Sequence, residues 1–349
     1  MPIVLDGSQG ISTPMYGGAI SSNAVTPVVG MKNRIINGAC VIDQRNAGAS
    51  VTPASNPTYT LDRWVYTYSQ NSKFSVQQNA GSVTPPAGFT NYIGFTSLAA
   101  TSLGSTDYFI LRQMVEGFNT ADLAFGTASA KTITLSFWVR SSLTGTFGGA
   151  ISNSGESRNY PFTYTISSAN TWEQKSVTIA GDTSGTWLTT NGIGIELSIG
   201  LGVGSTYSGT AGAWSSSLFV GATGATNVAG TNGATFYITG VQLEVGSTAT
   251  SFDYRPYGTE FALCQRYYIE PNSTFWAFLY RGDNYQMSAY QYPVTMRATP
   301  TSTYTWNADG GSGAGTPVIT AYQWYVSTSA TNGAGVNPRV TALKLSAEL

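Results

Sequence analysis

Thr132-Ile133-Thr134-Leu135-Ser136-Phe137-Trp138-Val139 alternates without a break: Ile133, Leu135, Phe137 and Val139 share one parity, and Thr132, Thr134, Ser136 and Trp138 the other. Successive side chains of a strand face opposite sides of its sheet, so this stretch is a strand with one face in an apolar interior. Ile193, Ile195, Leu197 and Ile199 repeat the pattern against Gly194, Glu196 and Ser198. Runs of this kind recur from residue 35 to about 258, separated by Gly, Ser, Asn and Thr punctuators. Such spacing fits antiparallel strands in a two-sheet sandwich and does not fit βαβ units.

Near the end of that region the alternation changes phase. Phe236 and Ile238 share one parity, Val241, Leu243 and Val245 share the other, and Gly240 stands between them. Either a β-bulge at Thr239-Gly240 resets which side chains face inward, or two short strands follow one another. Thr259 to Tyr268 departs from strand spacing: Thr259 can cap a short helix with Phe261, Cys264 and Tyr268 at helical intervals. Alternation then resumes over 269–349, with Trp276, Phe278 and Tyr280 on one face and Tyr290, Tyr292, Val294 and Met296 on one face of the next strand.

The expected fold is therefore all-β: an antiparallel sandwich over residues 35–258 and a smaller C-terminal β domain over 259–349, preceded by an extended N-terminal arm over 1–34. The arm sets Ile3-Val4-Leu5, Val25, Val28 and Val29 among Gly, Pro, Ser and Thr. It is too apolar for a free linker and too short for a core, so it either docks on a sister subunit or neighbouring protein or frays.

Composition agrees with that class. Only 9% of residues are charged, against about 25% in an ordinary soluble chain. A chain so poor in Glu, Lys and Arg lacks the residues of long surface helices. The 13% aromatic content argues against disorder. Formal net charge is −1 and the 16 Lys and Arg are scattered, so neither a nucleic-acid groove nor an anionic-membrane patch is expected. The first cation is Lys32 and no run approaches a membrane span, which argues against a signal peptide and against membrane insertion. Cys40 and Cys264 lie in apolar surroundings and read as buried free thiols.

The chain contains no histidine. That removes the usual general base, the Ser-His-Asp triad and His-containing zinc sites, and two cysteines leave no thiolate cage. No phosphate-cradling Gly-rich lysine motif and no acid-rich calcium loop is present. No catalytic residue, cofactor or metal is expected. Polysaccharide cleavage needs only two carboxylates, so a depolymerase stays open as an alternative, although the 17 acids form no tight constellation in sequence. Arg281-Gly282-Asp283 reads as a turn between aromatic runs. Trp64, Trp138 and Trp172 are assigned to packing in the sandwich strands. Trp276, Tyr280, Tyr285, Trp306 and Tyr322, flanked by Asn, Gly and Asp, are the candidate glycan-stacking rings.

Several segments taken in order resemble a family of bacteriophage tail-fibre and tail-structural proteins that carry a carbohydrate-binding-module-like jelly roll. They are Asn33-Arg34-Ile35-Ile36-Asn37-Gly38 with Ile42-Asp43-Gln44-Arg45-Asn46, which matches the module's opening strand, then Leu61-Asp62-Arg63-Trp64, Leu111-Arg112-Gln113 with Glu116-Gly117, and Leu135-Ser136-Phe137-Trp138-Val139-Arg140. Val241-Gln242-Leu243-Glu244-Val245-Gly246 and Cys264-Gln265-Arg266-Tyr267-Tyr268 complete the match over 33–268. Tyr292-Pro293-Val294-Thr295-Met296-Arg297-Ala298-Thr299-Pro300 and Ser346-Ala347-Glu348-Leu349 are similar to the end domain of such fibres. Cys40 departs from the pattern, which has Phe there.

The resemblance implies a jelly-roll sandwich, a homotrimer, and a place in the virion tail after assembly in the host cytoplasm. It also implies contact with other tail proteins through residues 1–34 and attachment to a host-surface glycan. A purely structural adaptor, baseplate or decoration protein is the alternative reading. The resemblance transfers no sugar site. Arg63 is expected to tether a loop or carboxylate and Trp64 to fill the core.

Overall fold

The computed structural model describes residues 31–271, 290–306, 318–325 and 340–349 in full, and the backbone of short strand segments at 5–6, 10–11, 275–276, 278–279, 285–289, 307, 316–317, 326–329 and 339. Residues 1–32 and 33–349 are separate compact units. In the first, Leu5–Asp6 pairs antiparallel with Gly10–Ile11. Residues 1–4, 7–9 and 12–30 of the expected docking arm, and the Arg281-Gly282-Asp283 turn, lie outside the described residues, and the arm's last two residues, Asn33 and Arg34, belong to the second unit.

The second unit begins with eleven strands in two facing sheets. They are β1 (Thr58–Leu61), β2 (Trp64–Tyr68), β3 (Phe74–Gln78), β4 (Ile93–Ser97), β5 (Tyr108–Glu116), β6 (Ile133–Ser141), β7 (Gly145–Ser152), β8 (Asn159–Ile166), β9 (Glu173–Ile179), β10 (Ile193–Val203) and β11 (Thr235–Val245). One sheet runs β8-β7-β10-β5-β2-β1 and the other β9-β6-β11-β4-β3, all antiparallel, with the chain passing back and forth between them as in a jelly roll.

The alternation that decided the fold class defines the interior. Ile133, Leu135, Phe137 and Val139 of β6 meet Ile195, Leu197, Ile199 and Leu201 of β10, with Trp64, Tyr66, Phe109 and Leu111, in one continuous core. At about 25 cal/mol per Å², burial of rings and branched chains on this scale is the main term holding the sheets together. Cys40 sits fully buried in that core as a free thiol, and burial pushes its pKa up to about 12. Cys264 is the second buried free thiol.

β11 is a single strand with a bulge. Thr239 pairs with Trp138 and Gln242 with Ser136, so Gly240 and Val241 together oppose one residue, Phe137. Gly240 takes φ +60°, the left-handed conformation this kind of bulge requires. The reset puts Phe236 and Ile238 before the bulge, and Val241 and Leu243 after it, into the same core. Val245 departs from the expected pattern: it is exposed, at the last position of the strand.

Three further expectations are corrected. The opening segment Asn33–Gly38 is not a strand but irregular chain that enters a turn at residue 36, although it laces along β11 beyond the point where β4 stops. Asn33 accepts from the Leu243 amide and donates to the Val241 carbonyl, Arg34 N–H donates to the Leu243 carbonyl, and the Val241 amide donates to the Gly38 carbonyl. The helix α1 spans Tyr257–Gln265, starting before Thr259 with Pro256 at its N-cap, and it buries Glu260 and Cys264; Tyr268 lies beyond it. The buried Glu260 is matched by Arg255 at 3.1 Å and by the Asn37 amide. Trp172 lies in the loop before β9, and its ring meets Tyr92 edge-on while its indole donates to the Thr84 carbonyl.

After α1 come β12 (Tyr268–Ile269), β13 (Phe275–Trp276), β14 (Phe278–Leu279), β15 (Tyr285–Gln291), β16 (Thr301–Asn307), β17 (Thr316–Ile319), β18 (Gln323–Ser329) and β19 (Arg339–Ser346). β19 pairs with β16 along one edge and with β12 and β13 along the other, and β14-β15-β18-β17 make a second sheet. A small core of Ile269, Tyr292, Met296, Trp324, Val340, Leu343 and Leu345 lies within this domain. The expected strand through Tyr292 and Val294 to Met296 ends instead at Gln291, where Pro293 supplies no N–H to continue a ladder.

Candidate functional site

The motif residues quoted above converge where the two domains meet. Arg63, left-handed at φ +69° and almost fully buried, donates to Glu348 and to the Met114 carbonyl, and its guanidinium lies 3.6 Å from the centre of the Tyr267 ring. Arg45 also reaches Glu348, at 2.6 Å, so one carboxylate joins two guanidinium groups. Glu116 accepts from Arg266 at 2.6 Å and from the Tyr267 hydroxyl at 2.6 Å. Gln113 exchanges two hydrogen bonds with the Ile36 backbone, and the Trp64 indole donates to the Asn37 carbonyl. On the far sheet Glu244 accepts from the Thr250 amide and hydroxyl, and Gln242 accepts from the Asp253 amide. These contacts pair most of the groups with one another, so the motifs hold the protein together; Arg45 also borders a cavity. Arg63 and Trp64 do what the resemblance implied.

A cleft lies elsewhere, on the face of the six-stranded sheet that points away from the core. Tyr108, Ile110, Arg112 and Met114 of β5 project into it at every second position, beside Thr67 of β2. Strand register sets the neighbours: Arg112 stands between Val65 and Ser198, and Met114 beside Glu196. The loop at Asn56-Pro57 forms one wall, and Tyr207, Leu218 and Val220 form the other. The cavity measures about 310 Å³, within the range of small-ligand sites.

Arg112 is the centre of its charge. Its Nη1 lies 3.0 Å from Glu156, on the turn joining β7 to β8, and 3.3 Å from Glu196. Of the groups lining the cleft, the Arg112 Nε and the Thr67 hydroxyl are buried without a protein partner. Buried polar atoms are nearly always satisfied, so these two are what a polar ligand in the cleft would complete. Tyr108 and Tyr207 meet edge to face at 5.8 Å and give the wall an aromatic edge, while Leu218 adds exposed apolar surface.

Burial raises the Glu196 carboxyl from 4.5 to about 7, with Arg112 opposing the shift and Glu156 reinforcing it. Burial likewise raises Asp62 to about 6. A carboxyl whose folded pKa is raised binds protons more tightly folded than unfolded. Its contribution to stability is full below the unfolded value and is lost as pH rises through the folded value. Wild-type protein is therefore expected to melt at higher temperature on going from about pH 8 to about pH 5. Glu196→Gln should remove part of that slope, leaving the part due to Asp62. Thermal melts of the two proteins across this range, with parallel slopes, would contradict the assignment.

The candidate stacking rings chosen from sequence are placed differently. Trp306 is half-buried against the C-terminal core, opposite Val340. Tyr322 is exposed, just before β18. Trp276 and Tyr285 lie on β13 and β15, with side chains outside the described residues, and Tyr280 is outside them altogether. Sequence reasoning missed Tyr108, Arg112, Glu156, Glu196 and Tyr207. The available signal was Arg112 and Glu196 at outward positions of otherwise apolar strands. Among the described residues no group of three or more acids and cysteines is placed to hold a metal.

No family model matches the chain, and no curated protein matches it. Solved structures give distant similarities. TmCBM61 in complex with β-1,4-galactotriose is 12% identical at a TM-score of 0.30, over 62% of this chain and 100% of that one. A family 11 carbohydrate-binding module from Clostridium thermocellum, in complex with a β-1,3-1,4-mixed-linked tetrasaccharide, is 12% identical at 0.30, over 57% and 97%. The enzymatically active domain of bacteriophage CBA120 tailspike protein 4 is 10% identical at 0.32, over 56% of this chain and 22% of that one, so the match spans about a fifth of the tailspike domain. At such scores they carry none of the functional argument.

Proposed function

We propose that this chain is a non-catalytic saccharide-binding protein of a phage tail, and that it holds a host-surface glycan in the cleft around Arg112. The observation that carries the binding half is the cleft floor itself: a guanidinium fixed between two carboxylates, with the unmet Thr67 hydroxyl beside it and tyrosine edges at the wall. Sugars offer vicinal hydroxyls that both donate and accept, and C–H faces that pack on rings, so each part of the floor has a counterpart. The tail assignment rests on the family resemblance, as do docking through residues 1–34 and a homotrimer. Three clefts on one particle would turn weak contacts into useful avidity.

The test is titration of the purified chain with oligosaccharides from host envelope polysaccharide, alongside its mass by light scattering. Wild type should bind, and Tyr108→Ala together with Tyr207→Ala should weaken binding at least about tenfold, the equivalent of 1.4 kcal/mol, with the melting temperature little changed. Equal affinity in the double variant would remove the cleft from the reading, and a monomer would remove the avidity. A second reading, polysaccharide cleavage, draws on one observation: two carboxylates flank one guanidinium, Glu156 in the cleft wall and the buried Glu196 raised towards neutrality, and glycoside hydrolysis uses such an unequal pair. Against it, both acids are engaged with the same guanidinium nitrogen. Release of reducing ends that stops in Glu196→Gln would decide for the enzyme.

A further inference from the structure

A second cavity of about 300 Å³ opens where the C-terminal domain meets the sandwich. Arg45 and Asn46 line it from the opening loop, Tyr59 from β1, Tyr268 from β12, Thr303 from β16 and Lys344 from β19. All eight lining residues carry a hydrogen-bonding side chain, and the two charged ones are both cations. No aliphatic side chain contributes, which separates this crevice from the first cleft with its Ile110, Leu218 and Val220.

Arg45 is preorganised here. Its guanidinium lies 3.6 Å from the centre of the Tyr268 ring and 4.9 Å from that of Tyr59, and one nitrogen is committed to Glu348. Its Nε is buried and has no partner. Glu348 also pairs with Arg63, so a single carboxylate is shared by two guanidinium groups. Lys344, half-exposed, lies 3.2 Å from Glu270 and keeps further donors for the opening.

We infer that this crevice is a second ligand site, which takes the carboxylate of an acidic saccharide between Arg45 Nε and Lys344 Nζ. The sugar hydroxyls then face Thr303 and Asn46, and the tyrosines border the ring. An anion is favoured because both charged lining groups are cations and neither Glu348 nor Glu270 lines the crevice. A saccharide is favoured over an apolar peptide side chain because every lining group is polar. The site is independent of the cleft around Arg112.

Calorimetric titration of the full chain with a galacturonic acid oligomer tests it, with a neutral galactose oligomer of the same length and inorganic phosphate as controls. Wild type should bind the acidic oligomer at least about tenfold more tightly than either control, and added salt should weaken the binding. Lys344→Gln should cost about tenfold and Thr303→Ala less. Equal affinity for the neutral oligomer, or an unaltered Lys344→Gln variant, overturns the proposal. Phosphate binding as tightly as the oligomer overturns its saccharide part and leaves a simple anion site. Loss of acidic-oligomer binding in Tyr108→Ala but not in Lys344→Gln puts the acidic sugar in the first cleft, overturning this inference while sparing the first.

Discussion

Arg63→Met is expected to destabilise the protein by about 3 kcal/mol or more, the cost typical of breaking a buried ion pair from one side. Arg63 is almost fully buried, and no water can replace what the substitution removes. Glu348 loses one of its two guanidinium partners, the Met114 carbonyl loses a donor, and the Tyr267 ring loses the cation above it. Glu348→Gln should cost less by itself. The pair should be markedly non-additive, because either substitution breaks the same link. Urea denaturation of the single and double variants measures this, and limited proteolysis shows whether the C-terminal domain has loosened from the sandwich. An Arg63→Met protein within about 1 kcal/mol of wild type would mean that Arg45 alone suffices to hold Glu348.

Gly240→Val should be worse still for folding. At φ +60° a β-branched residue is strained whatever surrounds it, and a Cβ built on Gly240 would lie 2.5 Å from the Phe89 ring. Phe89 cannot retreat freely, because it packs against Phe252 at 5.1 Å and Tyr254 at 5.5 Å. The backbone's other escape is to abandon the bulge, but a one-residue slip would turn Val241 and Leu243 out of the core. We expect a loss of about 3 kcal/mol or more, or no soluble protein, for Gly240→Val. Gly240→Asn should suffer less, since Asn tolerates the left-handed region. Melting temperatures that rank Val at or above Asn would show that the bulge does not depend on this dihedral.

The bulge was legible because it leaves a trace in parity: Ile238 and Val241 cannot both face inward from an unbroken strand. The sandwich was legible for the same reason, since period-two patterning is written in the identity of each residue. The opening segment was not. Asn33–Gly38 is expected to be a strand only from the family resemblance; it does lie along β11, but the side chain of Asn33 supplies bonds that backbone would supply in a ladder. The helix start was misread because Thr259 is a good cap by residue type, whereas the chain turns at Pro256 and the inward positions are set by Glu260 and Cys264.

The cleft was hidden for a different reason. Arg112, Glu156 and Glu196 lie far apart in the chain, and only the pairing of β5 with β10 and the turn after β7 bring them to one nitrogen. Tyr207 adds its ring from a segment with little regular structure. Aromatic content alone pointed to the C-terminal domain, where rings are dense. Density of rings says nothing of whether a floor of charged groups lies beneath them.

The lacing of the opening segment onto β11 also sets the order in which the sandwich can close. Asn33 finds its partners at Val241, Leu243 and Asp253, 208 to 220 residues away. Contacts of that separation repay their loop-closure entropy only after nearly everything between them has folded. The seam between opening turn and the sandwich's last strand is thus expected to close late in folding. A nascent chain that has not yet reached Val241 and Leu243 cannot have formed it.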